Sequence, residues 1–299
     1  MKKHTILPLL LSAILLACSQ NKKQEQAKTD SVRVYPTVSY LNIKLDAAGH
    51  LPSNPYILTF KKGKKEIVFC GTNHLEDNSD INNPLFTGIE KQFFITKPEV
   101  CVNEGGDVSK KIYASKKEAI AQNGEIGLTK ILADSLKIKT VNGDMTDSLE
   151  FKELLKHYSK GEFLAYIVTE RFMWGFAGPN PPDSIVLAKK YENFIQDYIM
   201  KTGGVALTKE EQSLAFYKNN YQHLLNRPFS LATLAPTNPF DPKGKFQQIG
   251  RKSKEIRDQH LLQTIDQLLD KHDKVFVVFG GWHLLTCKPG LEMIINRKR

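Results

Sequence analysis

Two segments of the chain end alike. Ile67 to Leu75 reads IVFCGTNHL, and Val275 to Leu284 reads VFVVFGGWHL. In each, an apolar run gives way to Gly-x-x-His-Leu. A glycine permits a sharp turn at the end of a strand, and the histidine three residues later then stands over the sheet edge. If both strands are parallel members of one sheet, His74 and His283 lie at the same edge, where ligands bind in open α/β sheets. Imidazole is the side chain best suited to acid–base work near neutral pH, and it is the commonest metal ligand. Acidic residues occupy comparable strand ends. Glu104 follows EVCVN and precedes Gly105-Gly106, and Asp144 follows KTVNG. Either acid also reads as a turn residue or a helix cap.

The elements that must position these groups follow an α/β pattern. Tyr56 to Phe60 and Glu66 to Cys70 are β-rich runs joined by KKGKK, a hairpin with Gly63 at its centre. A helix is expected over Phe86 to Lys97, a strand over Glu99 to Asn103, a helix over Glu125 to Leu136 and a strand over Ile138 to Asn142. Such alternation points to βαβ units and a mostly parallel central sheet flanked by helices. Lys254 to Lys271 then reads as an amphipathic helix. Lys274 to Phe279 is continuously apolar, as a strand buried on both faces should be, and Pro289 to Ile295 reads as a closing helix with Pro289 in its first turn.

Between these halves the spacing turns helical. Ser148 to Phe176, Ser184 to Lys201 and Lys209 to Asn226 each predict a helix, so residues from about 149 to 250 form a helical insertion. Pro228 to Lys245 carries four prolines and reads as a long irregular loop, a type often used as a lid or binding loop.

Other polar positions carry less. Arg257-Asp258 and Glu170-Arg171 fall on helices, where a solvated, salt-bridged face is the ordinary reading. Glu125 reads as a first-turn acid favoured by the helix dipole. His50, His157, His223, His260 and His272 have no partner in sequence and are read as structural. There is no H-E-x-x-H, no G-x-S-x-G and no G-x-G-x-x-G after a strand. Gly244 to Ser253 imitates a P-loop but has Arg251 where lysine belongs and no strand leading into it.

The ends place the chain. Lys2 and Lys3 precede a short apolar run, Ile6 to Leu16, and Leu15-Leu16-Ala17-Cys18 has the form of a lipobox. The run is shorter than the roughly 20 residues of a bilayer span. A cleaved signal peptide at 1–17 is expected, with Cys18 becoming a lipidated first residue that anchors the protein to the membrane. Residues 18–35 form a polar tether, since SQNKKQEQAKTD has too little apolar surface to fold. One domain of about 265 residues, 36–299, follows. Ser19 after the cysteine points to the outer membrane. The formal charge of +10 drops to +8 once Lys2 and Lys3 leave. The basic residues are scattered without interleaved aromatics, which argues against a nucleic-acid partner. Cys70, Cys101 and Cys287 permit at most one disulfide, and their apolar settings favour buried free thiols.

The segments GTNH, VCVNEGG, GEIGLTKILADSL with VNGD, and EIRDQHLLQTIDQLL leading into VFVVFGGWHL together resemble the superfamily of erythromycin esterases, ChaN, Tiki and TraB/PrgY proteins. The resemblance covers Ile67 to about Asp144 and Lys254 to Leu285. It implies an α/β core with both Gly-x-x-His motifs facing one cleft. The implied activities diverge: metal-dependent proteolysis in Tiki proteins, lactone opening by a His/Glu-activated water in the esterases, haem binding by the lipoprotein ChaN. The lipobox is similar to ChaN, and the arginine-bearing helix with its GGWH ending looks more like the TraB/Tiki branch.

The expected function is an extracytoplasmic hydrolase of peptide or ester substrates. His74, Glu104 and His283 would activate a water, either directly as general bases or as ligands of one divalent metal (Mn, Co or Zn). Arg257 would hold an anionic substrate group or the oxyanion, and Asp258 would orient a histidine. The alternative is a non-catalytic haem- or metal-binding lipoprotein, with Tyr217 and Tyr221 near His223 as candidate axial ligands.

Overall fold

The computed structural model describes residues 33–45, 50–178 and 181–299. The expected signal peptide, the expected lipidation site Cys18 and most of the expected tether lie outside the described residues. From Val34 onward the chain forms one compact unit.

Two strands, β1 (Tyr56–Lys62) and β2 (Lys65–Thr72), form the expected antiparallel hairpin. Gly63 turns it at φ +58°, a left-handed conformation that glycine adopts without steric cost. There follow α1 (Pro84–Thr96), β3 (Val100–Asn103), α2 (Lys116–Ser135) and β4 (Lys139–Asn142). The insertion contributes α3 (Asp147–Leu154), α4 (Lys160–Arg171), α5 (Ser184–Asn193) and α6 (Leu214–Leu225). The chain then returns through α7 (Lys245–Leu269), β5 (Lys274–Gly280) and α8 (Gly281–Asn296).

The sheet order is β1-β2-β5-β3-β4, and every pairing except the hairpin is parallel. This is the α/β class with a mostly parallel sheet that the strand–helix alternation predicts. Alternate strand residues separate two cores, as the period of two requires. Ile67, Phe69, Val100, Val102, Val275 and Val277 pack with Leu261, Ile265, Leu284 and Leu291 of α7 and α8. Val68, Cys70, Cys101, Phe276 and Val278 pack with Phe86, Ile89, Phe93, Ile120 and Leu128 of α1 and α2. A third core, built around Phe151, Phe163, Tyr166, Tyr217, Tyr221 and Phe246, belongs to the insertion. Among the described residues, Cys70, Cys101 and Cys287 are free and buried.

Three expected helices are corrected. Ser148 to Phe176 is not one helix: the chain breaks after α3 and restarts at Ser159. There a capping box, with the Ser159 side chain accepting from Glu162 N–H and Glu162 returning to Ser159 N–H, fixes a new N-terminus. The segment then ends in a 3₁₀ turn, Met173–Phe176. The closing helix starts at Gly281 rather than at Pro289, which sits inside it. Buried Leu284, Cys287, Leu291 and Ile294 continue the helical period across the proline, and that apolar face outweighs the one backbone bond proline removes. α7 likewise begins at Lys245, nine residues before its expected start. Among the described residues no helix is long and apolar enough to cross a membrane.

Candidate active site

The parallel pairing of β2 with β5 sets Thr72 opposite Gly280, so both Gly-x-x-His turns leave the sheet side by side at its carboxyl edge. Gly71 makes this possible. A Cβ there would stand 2.9 Å from Gly281 Cα and 3.1 Å from Leu284 Cδ2, so α8 starts against bare backbone. His74 lies in the loop after β2, and His283 lies in the first turn of α8.

Each imidazole is held from behind by a carboxylate. His74 Nδ1 bonds Glu125 Oε1, and Glu125 also accepts from Thr72 Oγ1 at 3.2 Å. His283 Nδ1 bonds Asp258 Oδ1, and the Tyr40 hydroxyl stands 3.3 Å from the same nitrogen. The opposite nitrogens face one group. His74 Nε2 is 3.8 Å from Glu104 Oε2, and His283 Nε2 is 3.8 Å from Glu104 Oε1. Glu104 is itself fixed, accepting from Gly280 N–H at 2.6 Å and from Arg257 Nη2 at 3.1 Å. Arg257 grips Asp144 with Nε and Nη2 at 2.8 and 2.7 Å. The site is therefore two carboxylate–histidine dyads facing each other across a clamped glutamate.

Their surroundings tune the charges. The Glu125 hydrogen bond raises the His74 imidazole above its ordinary 6.5, against the burial that lowers it. Burial pushes Glu125 up, yet the bond to His74 holds it below its ordinary 4.5. Burial works to lower Arg257, and the carboxylates of Asp144 and Glu104 outweigh it and raise the guanidinium above its usual value.

A cleft of about 560 Å³ opens over this centre, lined by His74, Glu104, Gly280, Gly281, Trp282 and His283 from the sheet edge. The long loop before α7 supplies Thr237, Asn238 and Pro239, and α4 supplies Tyr166 and Glu170. Phe240 packs edge-on to Trp282 with ring centroids 4.4 Å apart. Arg251 donates to the carbonyls of Pro239 and Asp241 at 3.1 and 2.6 Å, tying the loop to α7. The insertion thus covers one side of the cleft.

The donor types suit a divalent cation: two imidazoles whose Nδ1 atoms are tied to carboxylates, a common setting for metal-bound histidine, with Glu104 between them. As they stand, no three His, Cys, Asp or Glu groups among the described residues form a ready-made metal cluster.

All five residues expected at the site from the sequence, His74, Glu104, His283, Arg257 and Asp258, are brought together. Asp258 backs His283, while Arg257 is committed to the protein's own carboxylates. Asp144 is the partner of Arg257 rather than a plain turn residue. Sequence reading missed the role of Glu125. Nothing local in the sequence marks that role; the structure shows it, with Asn123 and Gly124 leaving helical geometry so that a buried acid heads the second half of α2. Tyr40 and Thr72 were missed too, and nothing in their local sequence marks them. Tyr217 and Tyr221 are fully buried in the insertion core. The Tyr217 hydroxyl shares a hydrogen bond with Thr169 at 2.9 Å, and that of Tyr221 accepts from Ala235 N–H at 2.8 Å, so neither is presented as an axial ligand.

Comparison with family models, with curated proteins and with solved structures finds no match to this chain.

Proposed function

We propose that the protein is a hydrolase of peptide or ester bonds, anchored to the outer membrane by lipid on Cys18 and working outside the cytoplasm. The observation that carries this reading is the opposed pair of dyads, Glu125–His74 and Asp258–His283, with both Nε2 atoms 3.8 Å from Glu104. A nitrogen backed by a carboxylate is both oriented and made more basic, which is what proton transfer in hydrolysis needs.

The roles divide by environment. His74, whose protonated form Glu125 stabilises, is the donor. His283 accepts a proton from water at Nε2 while Asp258 stabilises the resulting imidazolium. The water oxygen adds to the substrate carbonyl, and the C–N or C–O bond breaks as His74 gives its proton to the leaving group. The proton left on His283 returns to solvent, and His74 takes one up, so the cycle closes. The first turn of α8, which lines the cleft and has no side-chain cap, supplies backbone N–H groups that favour an oxyanion. Glu104, clamped by Arg257, orders the water between the imidazoles. A divalent cation on His74, Glu104 and His283 would supply a more acidic water in the same place.

The test is a panel of fluorogenic peptides and esters presented to the full chain, with and without chelator and added Mn²⁺ or Zn²⁺. Turnover that disappears in both His74→Ala and His283→Ala is expected. Turnover indifferent to both substitutions overturns the reading.

A further inference from the structure

Lys254 lies one turn before Arg257 and Asp258 on α7, at the i, i+3 and i+4 spacing that puts three side chains on one face. It lines the cleft that holds His74, Glu104 and His283. It also lines an adjoining polar groove of about 370 Å³ bordered by Asp144, Asp147, Glu150 and Glu170 and by the guanidinium groups of Arg171 and Arg257. The residue is half-buried, and its ammonium has no hydrogen-bond or ion-pair partner within 4.0 Å among the described residues.

The acids around it are already engaged. Glu104 is held by Arg257 and Gly280, and Asp144 by Arg257. Glu150 accepts from Arg171 Nη2 at 2.7 Å and from Ser253 Oγ at 2.6 Å, and Glu170 accepts from Arg171 Nε at 3.4 Å. Glu170, Glu150 and Glu104 attract the ammonium from beyond ion-pair distance, but they do not offset the cost of drawing it out of water. Burial, and then the neighbouring Arg257, lower its basicity. The other cation at the centre, Arg257, is spent on Asp144 and Glu104, which leaves Lys254 as the cleft-lining cation suited to an incoming anion.

We propose that Lys254 binds an anionic group, a carboxylate or a phosphate, on the substrate processed at the His74–Glu104–His283 centre. This inference rests on the hydrolase reading and narrows it: the substrate is an acidic peptide or an anionic ester. Lys254 lines both cavities, so an anion held by its ammonium lies beside the cleft while the substrate's carbonyl meets the two imidazoles.

Two measurements test it together. The first is calorimetric titration of the full chain with inorganic phosphate and, separately, with glutarate, at low ionic strength where charge pairing is least screened. At least one anion should bind, and which one distinguishes phosphate from carboxylate. Lys254→Met, close to lysine in volume and shape, should weaken that binding about 10- to 100-fold, the worth of one charge-assisted hydrogen bond. Lys254→Arg should keep most of it. Failure of both anions to bind, or equal binding by Lys254→Met, overturns the proposal. The second measurement compares hydrolysis of a glutarate monoester with that of the neutral butyrate ester of the same alcohol. Lys254→Met should raise KM for the glutarate ester by at least about 10-fold more than for the butyrate ester; an equal effect on both overturns it. Anion binding without hydrolysis of any ester or peptide would remove the hydrolase reading and keep Lys254 as an anion site.

Discussion

Arg257 Nη2 reaches Glu104 Oε1 at 3.1 Å, so the carboxylate between the two histidines is aimed by a side chain from the helix that also supplies Asp258. The same guanidinium holds Asp144, and one residue thereby joins the ends of β3 and β4 to α7. Removing it leaves two partly buried carboxylates uncompensated. Arg257→Met should cost about 3–5 kcal/mol in urea unfolding, and adding Asp144→Asn should recover part of that loss. A cost below about 1 kcal/mol would show that Arg257 does not clamp the site.

The His74–Glu125 pair gives a pH signature. His74 is raised in the folded state, so its contribution to stability is complete below its unfolded value near 6.5 and is lost as pH rises through the folded value. Glu125 is lowered, so its contribution is complete above its unfolded value near 4.5 and is lost as pH falls through the folded value. The pair therefore stabilises most between those two limits. Glu125→Gln should lower the His74 midpoint in an NMR titration and flatten stability across this window. An unmoved midpoint would sever the dyad.

How much of this was legible in the sequence follows from the range of each interaction. The apolar runs at Ile67 and Val275, each ending in Gly-x-x-His, announce strand and turn locally, and parallel pairing does the rest. Asp258 and Arg257 were visible as a charged pair on a helix. Glu125 was not distinguishable from a dipole-favoured acid, because its partner His74 is 51 residues away. Tyr40 reaches His283 across 243 residues, a separation that no local pattern records. Lys254 looked like one more basic residue in a basic chain. The helix ends at Ser159 and Gly281 were misplaced for a different reason: apolar periodicity runs through both the break and the proline.

Close packing at the sheet edge makes Gly71 a sensitive position. Gly71→Ala would drive a methyl against Gly281 Cα and Leu284, both of them on the element that carries His283. A loss of about 1–3 kcal/mol is expected from such overpacking, measured by thermal unfolding, together with reduced activity. Wild-type stability and activity would mean that α8 can move away freely.

The anchor is tested apart from the site. Cys18→Ser should shift the protein from the detergent phase to the aqueous phase in a Triton X-114 partition and abolish incorporation of labelled palmitate. Unchanged partitioning would remove the lipid from the account.

The central claim is that two opposed dyads act as one hydrolytic centre. Its most direct test is kcat for the best substrate of the panel in His74→Ala, His283→Ala and the double variant. Groups that act as a unit are not additive, so each single substitution should cost at least about 10³-fold and the double little more than either one. Full activity in either single variant, with the protein folded, would contradict the claim.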